Sequence, residues 1–305
     1  MELCEKAAQE SIVLLKNNGV LPLNKREVKT IGVIGPNANN RSSLDGNYHG
    51  TASRYVTILE GIQDYVGNEV RILYSQGSHL YLDKEEQLAQ KDDRISEALS
   101  VTEYCDVVIL CVGLDESLEG EEGDTGNAYA DKKDLEFPQG QKRLMDAVLN
   151  TDTPVIVCNF TGSAMNLSLA DEKAAAVIQA WYPGAQGGAA LAKILFGEVS
   201  PSGKLPVTFY QSLDTLPAFE DYSMRGRTYR YLEEKPLYPF GYGLTYGEAR
   251  VIKTEFVKQP KRTEDLIIQV MVENVSARTI RDVVQVYIQN NDSSFAPPNP
   301  VLCGF

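Results

Sequence analysis

The sequence contains the segment Asp106-Val107-Val108-Ile109-Leu110-Cys111-Val112-Gly113, an apolar run of strand length. No polar side chain alternates with the apolar ones between Val107 and Val112. Such a run is typical of a parallel strand that helices cover on both faces. The segment therefore predicts a buried strand of an α/β sheet.

Similar apolar runs recur along the chain and alternate with helical patterns. We predict strands at residues 30–34, 70–74, 107–112, 155–158 and 176–180. We predict helices at residues 5–16, 57–65, 85–104, 139–149 and 185–196. Strands that alternate with helices favour a parallel sheet covered by helices on both faces. The predicted fold class is therefore α/β, with a doubly wound, mostly parallel sheet, also called an α/β sandwich.

The last part of the chain has a different pattern. Predicted strands at residues 251–256, 265–273 and 283–288 follow one another without helices, and the last two alternate apolar and polar residues. A sandwich of the fibronectin type III class needs about seven strands, and about three or four fit before Phe305. We expect an incomplete antiparallel β-sandwich of this type, whose last strand exposes an unpaired edge.

These patterns divide the chain of 305 residues into three parts. Residues 1–29 are predicted to be a linker and leading helix, residues 30–246 the α/β-sandwich domain, and residues 247–305 the partial fibronectin type III-like domain. The apolar fraction of 43% is sufficient for a buried core in the sandwich.

Charge, cysteine and histidine content exclude several classes of function. A net charge of −13, with no run of Lys or Arg, argues against a nucleic-acid partner. The five cysteines include no C-x-x-C spacing, so we interpret them as structural thiols in a reducing compartment. The two histidines, His49 and His79, leave little for a zinc site. We therefore expect neither a metal nor a cofactor.

Membrane association is not expected either. The sequence has no run of about eighteen apolar residues, and no signal-peptide pattern follows Met1. If Met1 is the natural start of the protein, the sequence predicts a cytoplasmic location.

An acidic loop that contains glycine follows the central strand, with the sequence Leu118-Glu119-Gly120-Glu121-Glu122-Gly123-Asp124. In an open α/β sheet, ligands bind at the carboxyl ends of the strands. Four carboxylates within six residues repel one another, which favours retention of a proton by one of them. That behaviour suits the acid/base residue of a glycosidase.

Three other interpretations of this loop are a phosphate site, a calcium site and a solvated surface loop. A phosphate site is excluded, because carboxylates repel phosphate and the strand exit Ile34-Gly35-Pro36-Asn37-Ala38 lacks the G-x-G-x-x-G spacing. A calcium site is conceivable, although the acidic residues do not follow the ligand pattern of an EF-hand. A solvated acidic surface loop is the simplest alternative.

Several further motifs occur in a single order along nearly the whole chain. They are Ser11-Ile12-Val13-Leu14-Leu15-Lys16-Asn17, Ile31-Gly32-Val33-Ile34-Gly35-Pro36-Asn37-Ala38, Gly46-Asn47-Tyr48-His49-Gly50, Trp181-Tyr182-Pro183-Gly184-Ala185-Gln186-Gly187-Gly188 and Arg227-Thr228-Tyr229-Arg230-Tyr231. Together they resemble the C-terminal half of family 3 glycoside hydrolases, whose members are mostly β-glucosidases and β-xylosidases.

The resemblance implies a particular division of labour. Members of that family combine a (β/α)8-type barrel, an α/β sandwich and often a fibronectin-like module. The barrel supplies an aspartate nucleophile and most sugar-binding residues, whereas the sandwich supplies the acid/base glutamate. A barrel needs about 250 residues, but the first predicted strand already begins at Thr30. We therefore expect that the chain lacks the barrel and does not turn over glycosides alone.

The family's acidic motif resembles Glu-x-Glu-Gly-x-Asp, in which the second glutamate is the acid/base. Placed on residues 119–124, the motif assigns this role to Glu121. Glu122 stands where the family has a small residue and residues 125–133 lengthen the loop, so Glu122 and Glu119 remain alternatives. The predicted substrate-binding residues are Tyr48, His49, Glu119 and Glu122.

The resemblance implies part of a retaining β-glycosidase, most closely a β-glucosidase, that hydrolyses terminal non-reducing β-linked sugars. The expected partners are a β-linked oligosaccharide or an aryl or alkyl β-glycoside, and the barrel domain of the same enzyme. A β-xylosidase or an N-acetylglucosaminidase type of member stays open. So does a non-enzymatic carbohydrate- or protein-binding module, which restored hydrolysis on mixing with a barrel would exclude.

Overall fold

The computed structural model describes residues 1–47, 49–82, 90, 92–120, 132, 134–258 and 265–305. The strands of its main sheet are β1 (Val13–Asn17), β2 (Thr30–Ile34), β3 (Arg71–Ser75), β4 (Val107–Gly113), β5 (Val155–Phe160) and β6 (Ala176–Gln179). They lie in the order β1-β6-β5-β4-β2-β3. All neighbouring pairs are parallel except β1 with β6. The predicted parallel sheet is thus present.

Helices cover both faces of this sheet. In the described residues they are α1 (Glu2–Ser11), α2 (Ile58–Val66), α3 (Asp93–Glu103), α4 (Gln139–Leu149), α5 (Ser168–Lys173), α6 (Gly187–Leu195) and α7 (Thr228–Tyr231). Residues of α1, α2 and α6, such as Ile62, belong to the core on one face. Residues of α3, α4 and α5, such as Leu144, belong to the core on the other. The structure confirms a doubly wound α/β sheet.

The central strand β4 is buried on both faces, which explains why polar residues do not alternate with apolar ones in its sequence. All seven of its residues are buried. Ile109 and Cys111 belong to one core, whereas Val108 and Leu110 belong to the other. Burial of a side chain of this size contributes about 1.5–3 kcal/mol. Both faces of β4 therefore stabilise the fold, and a polar residue on either face would lack water.

The N-terminal segment differs from its predicted helix. Helix α1 ends at Ser11, and β1 then pairs antiparallel with β6. The helical prediction for residues 5–16 is therefore wrong beyond Ser11. The reason is that residues 13–15 contribute alternately to the two cores, which an edge strand permits and a helix on one face does not. The part assigned to a linker and leading helix thus also supplies a strand to the sheet.

The other predicted helices coincide in position with helices of the structure. Helix α4 coincides with the prediction at residues 139–149. Helix α3 begins at Asp93, later than the predicted residue 85, while residues 83–89 lie outside the described part. The short helices α5 and α7 were not predicted. No helix in the described ranges is long and apolar enough to cross a membrane.

Within the described residues, the last part of the chain forms two antiparallel hairpins. They pair β7 (Ala249–Lys258) with β8 (Ile267–Asn274), and β9 (Val286–Ile288) with β10 (Val301–Gly304). The first three of these strands were predicted and β10 was not. Large apolar side chains such as Val251, Phe256 and Met271 are exposed on the first hairpin. An antiparallel second region is therefore present, while its assignment to the fibronectin type III class and its boundary at residue 247 stay predictions.

Candidate active site

Loops after four neighbouring strands meet at the carboxyl edge of the sheet. These strands are β2, β4, β5 and β6. The Leu114 N–H, directly after β4, donates to the Phe160 carbonyl of β5 over 2.8 Å. The Asn37 amide Nδ2, after β2, donates to the Leu114 carbonyl over 2.9 Å. The acidic loop therefore starts between the loops that follow β2 and β5.

Asp115 shapes the first turn of the acidic loop. It is 7% exposed, and one carboxylate oxygen accepts from the Ser117 N–H at 3.0 Å and from the Ser117 hydroxyl at 2.6 Å. Asn40 Nδ2 donates to the other oxygen at 3.3 Å. The backbone N–H groups of Leu118 and Glu119 donate to the Asp115 carbonyl at 3.0 Å. An aspartate that binds its own backbone two residues on forms a defined turn.

Glu119 connects the acidic loop to two other loops. Its Oε2 accepts from the Gly162 N–H at 2.7 Å and from the Tyr182 hydroxyl at 2.6 Å. Its Oε1 accepts from the Ser163 hydroxyl. Gly162 and Ser163 follow β5, and Tyr182 follows β6. Hydrogen bonds to an ionised carboxylate are stronger than those between neutral groups, so Glu119 holds three loops together.

The Tyr182 side chain fits between two glycines. A Cβ at Gly46 would lie 2.8 Å from Tyr182 Cδ2, and one at Gly162 would lie 3.1 Å from Cε2. A side chain at Gly46 would therefore displace the ring, and one at Gly162 would press against it. Burial, and then the nearby Glu119 charge, raise the pKa of the Tyr182 phenol. The phenol consequently remains a hydrogen-bond donor to Glu119 across the physiological pH range.

His49 lies at the same edge and binds protein groups through both ring nitrogens. Its Nε2 lies 2.7 Å from Glu116 Oε2 and its Nδ1 lies 2.9 Å from the Gly50 carbonyl. Asp45 Oδ2 lies 3.8 Å from Nδ1. The bond to the Gly50 carbonyl, followed by the bond to Glu116, raises the pKa of His49. Because carbonyl and carboxylate oxygens only accept, the doubly protonated imidazolium satisfies both contacts.

The chain beyond the acidic loop attaches to the same strand exit as Glu119. Lys132 Nζ donates to the Ala164 carbonyl at 2.7 Å and lies 3.0 Å from Met165 Sδ. The Asn166 N–H donates to the Leu135 carbonyl at 2.7 Å. Burial lowers the pKa of Lys132, and the nearby charges of Glu119 and Asp134 partly offset this decrease. We call residues 162–166 the anchor segment, because both flanks of the acidic loop bind it.

An open apolar cleft begins at the anchor segment. Its volume is about 920 Å³, and its lining includes Lys132, Gly162 and Ser163. The rest of the lining comes mainly from residues 206–231. Phe219, in this lining, is 83% exposed. The contacts of Glu119 therefore border a wide surface with apolar side chains.

The structure brings two of the predicted site residues to one edge and leaves the others outside the described part. Glu119 and His49 lie on loops that follow β4 and β2. The predicted acid/base Glu121 and the predicted substrate-binding residues Glu122 and Tyr48 fall outside the described residues. Sequence reasoning missed the side chains that hold this edge, which are Asp115, Glu116, Lys132, Ser163 and Tyr182. Of these, Tyr182 had a sequence signal, because it lies in a motif used for the family resemblance.

The sheet and its edge define a class of protein, namely a doubly wound α/β domain with polar side chains gathered at the carboxyl ends of its strands. The chain belongs to glycosyl hydrolase family 3, since residues 12–246 match the profile of the glycosyl hydrolase family 3 C-terminal domain. The family resemblance inferred from the sequence is thus confirmed.

Curated relatives and solved structures agree with this assignment. The chain is 33% identical to the periplasmic β-glucosidase of Salmonella typhimurium, over 98% of this chain and 42% of the relative. It is 31% identical to a β-xylosidase of Formosa agariphila, over 100% of this chain and 42% of the relative. A β-glucosidase structure from Erythrobacter marinus superposes with a TM-score of 0.83 at 34% identity, over 98% of this chain and 42% of that one. The chain therefore spans less than half the length of these relatives.

Proposed function

We propose that this chain supplies the general acid/base of a retaining β-glycosidase that hydrolyses terminal non-reducing β-linked sugars, with a β-glucosidase favoured. The observation that carries the proposal is the place of Glu119 and Gly120 at the carboxyl edge of β4, directly before the second glutamate of the family motif. The substrate would be a β-linked oligosaccharide or an aryl or alkyl β-glycoside.

Glu121 is the proposed acid/base. It would give a proton to the leaving oxygen while a carboxylate attacks the sugar, and would then take a proton from the attacking water. The contacts of Glu119 support this choice over Glu119 itself, because all three are acceptor contacts to protein donors. Tyr48, His49 and Glu122 stay proposed substrate-binding residues. So does Glu119, through the acceptor position that its three protein donors leave open.

A barrel domain is the proposed partner within the same enzyme. Retaining hydrolysis needs two carboxyl groups about 5–5.5 Å apart, and the family resemblance places the nucleophile on the barrel. The apolar cleft beside the anchor segment supports this proposal, since exposed side chains such as Phe219 suit a covering domain.

A β-xylosidase is the second candidate. Several relatives carry that name, among them the one from Formosa agariphila at 31% identity. Assays of paired aryl β-glucosides and aryl β-xylosides would decide between the two sugars. The cytoplasmic location also stays a prediction, which cell fractionation with an antibody against this chain would test.

The first experiment compares this chain alone with the complete enzyme, meaning this chain joined to its barrel, which the DNA on either side would reveal. We expect no hydrolysis of aryl β-glycosides by the chain alone and hydrolysis by the complete enzyme. In the complete enzyme, Glu121→Gln should lower kcat about 10²–10⁴-fold for a glycoside with a poor leaving group, which is the range for loss of a general acid. Turnover by the isolated chain, or an unaffected Glu121→Gln variant, would overturn the proposal.

A further inference from the structure

The flanks of residues 121–131 attach to one support, the anchor segment. Before these residues, the Glu119 carboxylate binds the first two residues of the anchor segment. After them, Lys132 binds the carbonyl of its third residue at 2.7 Å, and its last residue binds the Leu135 carbonyl at 2.7 Å. One short piece of backbone after β5 therefore holds the described residues on both sides of residues 121–131.

We propose that Glu119 is a positioning residue that sets the place from which Glu121 acts on the substrate. The inference rests on the proposed function, because it takes Glu121 as the acid/base. Two trans peptide units separate the residues, so their α-carbons are at most about 7–8 Å apart. The Glu119 α-carbon is therefore the centre of the region that Glu121 can reach, and a shift of Glu119 moves that region.

The contacts of Glu119 suit a support better than a substrate ligand. An ionised carboxylate offers about four acceptor positions, and three protein donors already occupy this one. A sugar hydroxyl would have to compete with the Tyr182 hydroxyl or with the anchor segment. Two of the three donors, the Ser163 and Tyr182 hydroxyls, can each be removed by substitution, so their contributions can be measured separately.

The donors to Glu119 are themselves held in place. The Gly162 N–H belongs to backbone directly after β5, and a Cβ at this position would lie 3.3 Å from Glu119 Oε2. The Tyr182 ring packs between this glycine and Gly46. A rigid set of donors keeps a carboxylate in one position without a further entropy loss on substrate binding.

The test uses Glu119→Gln in the complete enzyme, with two aryl glycosides that differ only in leaving-group acidity. The amide keeps the size of the side chain but has no charge and one acceptor oxygen in place of two, so the three donors lose at least one of their acceptor contacts. We expect kcat for the poor leaving group to fall about 10–100-fold, as misplacement of a catalytic group by about 1 Å can cause. The good leaving group needs little protonation, so its kcat should change by less than about 3-fold.

A double-mutant cycle with Glu121→Gln separates positioning from a general structural role. If Glu119 acts through Glu121, the double variant should be no slower on the poor leaving group than Glu121→Gln alone. Equal losses on both leaving groups, or losses that multiply in the double variant, would overturn the proposal.

Two matched variants complete the series. Tyr182→Phe removes one of the three donors and should show the same leaving-group dependence with a smaller loss. Glu248→Gln removes an exposed carboxylate that pairs with Arg250 in the C-terminal region and should leave both substrates unchanged.

Hydrogen exchange in the 305-residue chain tests the hydrogen bond between Glu119 and the Gly162 N–H without any assay of activity. Glu119→Ala should speed hydrogen exchange of the Gly162 amide, because it removes both carboxylate oxygens and with them the acceptor of this N–H group. Unchanged exchange would overturn the proposal even if the enzyme is active. If instead the complete enzyme is inactive, or Glu121→Gln behaves as wild type, the proposed function fails, and faster exchange still supports the contact of Glu119.

Discussion

The sandwich and the C-terminal hairpins use similar apolar strands in different surroundings. Strands β4 and β5 are buried along their whole lengths, whereas β7 is exposed from Val251 to Val257. Phe160, in β5, is 0% exposed, and Phe256, in β7, is 65% exposed. Strand pairing alone thus produces a hairpin, but only a covering layer turns its apolar side chains into a core. The helices of the sandwich supply that layer.

The largest effect on stability is expected when one phenylalanine in each region is replaced by alanine. Phe160→Ala should lower the free energy of unfolding by about 3–5 kcal/mol, because it leaves a cavity in a packed core. Phe256→Ala should change it by less than about 0.5 kcal/mol, as for most surface substitutions. Urea denaturation monitored by tryptophan fluorescence measures both. Similar losses at the two positions would show that another element covers β7.

The next test adds a methyl group where two helices approach each other. A Cβ at Gly61 of α2 would lie 2.2 Å from the backbone carbon of Gly188 in α6. Gly61→Ala should therefore destabilise the sandwich by about 1–3 kcal/mol through overpacking, although alanine is the better helix former. In the hairpins, Gly304→Ala is the control, since its nearest neighbour is Val286 Cβ at 4.0 Å. A stabilised Gly61→Ala protein would contradict the close approach.

A smaller effect is expected where the two regions touch. Lys204 of the sandwich lies 2.6 Å from Asp282, with side chains 15% and 33% exposed. Asp282→Asn should cost about 1 kcal/mol or less, and less still at high salt. Hydrogen exchange in β9 and β10 should rise in this variant. The control Glu255→Gln removes an exposed pair with Lys253 inside β7, and should leave that exchange unchanged.

The smallest effect on stability is expected for the ion pair between His49 and Glu116 at the carboxyl edge of the sheet. The pKa of His49 is raised in the folded protein, above about 6.5 for the unfolded chain. Protonated His49 therefore contributes stability that is fully present below the unfolded pKa and is lost as pH rises through the folded one. The difference in Tm between wild type and His49→Gln should be largest near pH 5 and vanish at alkaline pH. A difference that grows with pH would contradict the pairing, and Glu116→Gln should reduce the pH dependence.

Local patterns predicted most of the sandwich because each of its elements carries its own signal. In α4, apolar residues recur at helical spacing over the whole of residues 139–149. In β4, the residues on both faces are apolar. The failure at the N-terminal segment has a non-local cause. Strand β1 pairs with β6, where Val13 lies opposite Gln179, and no local pattern encodes a partner so far along the chain.

The candidate site was predicted only in part for the same reason. The acidic residues were recognised by their spacing, and Glu119 was assigned to substrate binding. Its observed partners Gly162, Ser163 and Tyr182 lie 43, 44 and 63 residues away in sequence. Neither glycine nor serine carries a signal for such a contact in one sequence.

By itself, the sequence determined the family, the α/β class and the parallel strands, because apolar periodicity and collinear motifs are local properties. The tertiary structure decided which side of each strand faces which core and which loops meet at the carboxyl edge. It also decided that Glu119 binds the anchor segment and Tyr182. These relations depend on the order of strands in the sheet, and that order is set by packing between segments far apart in the chain.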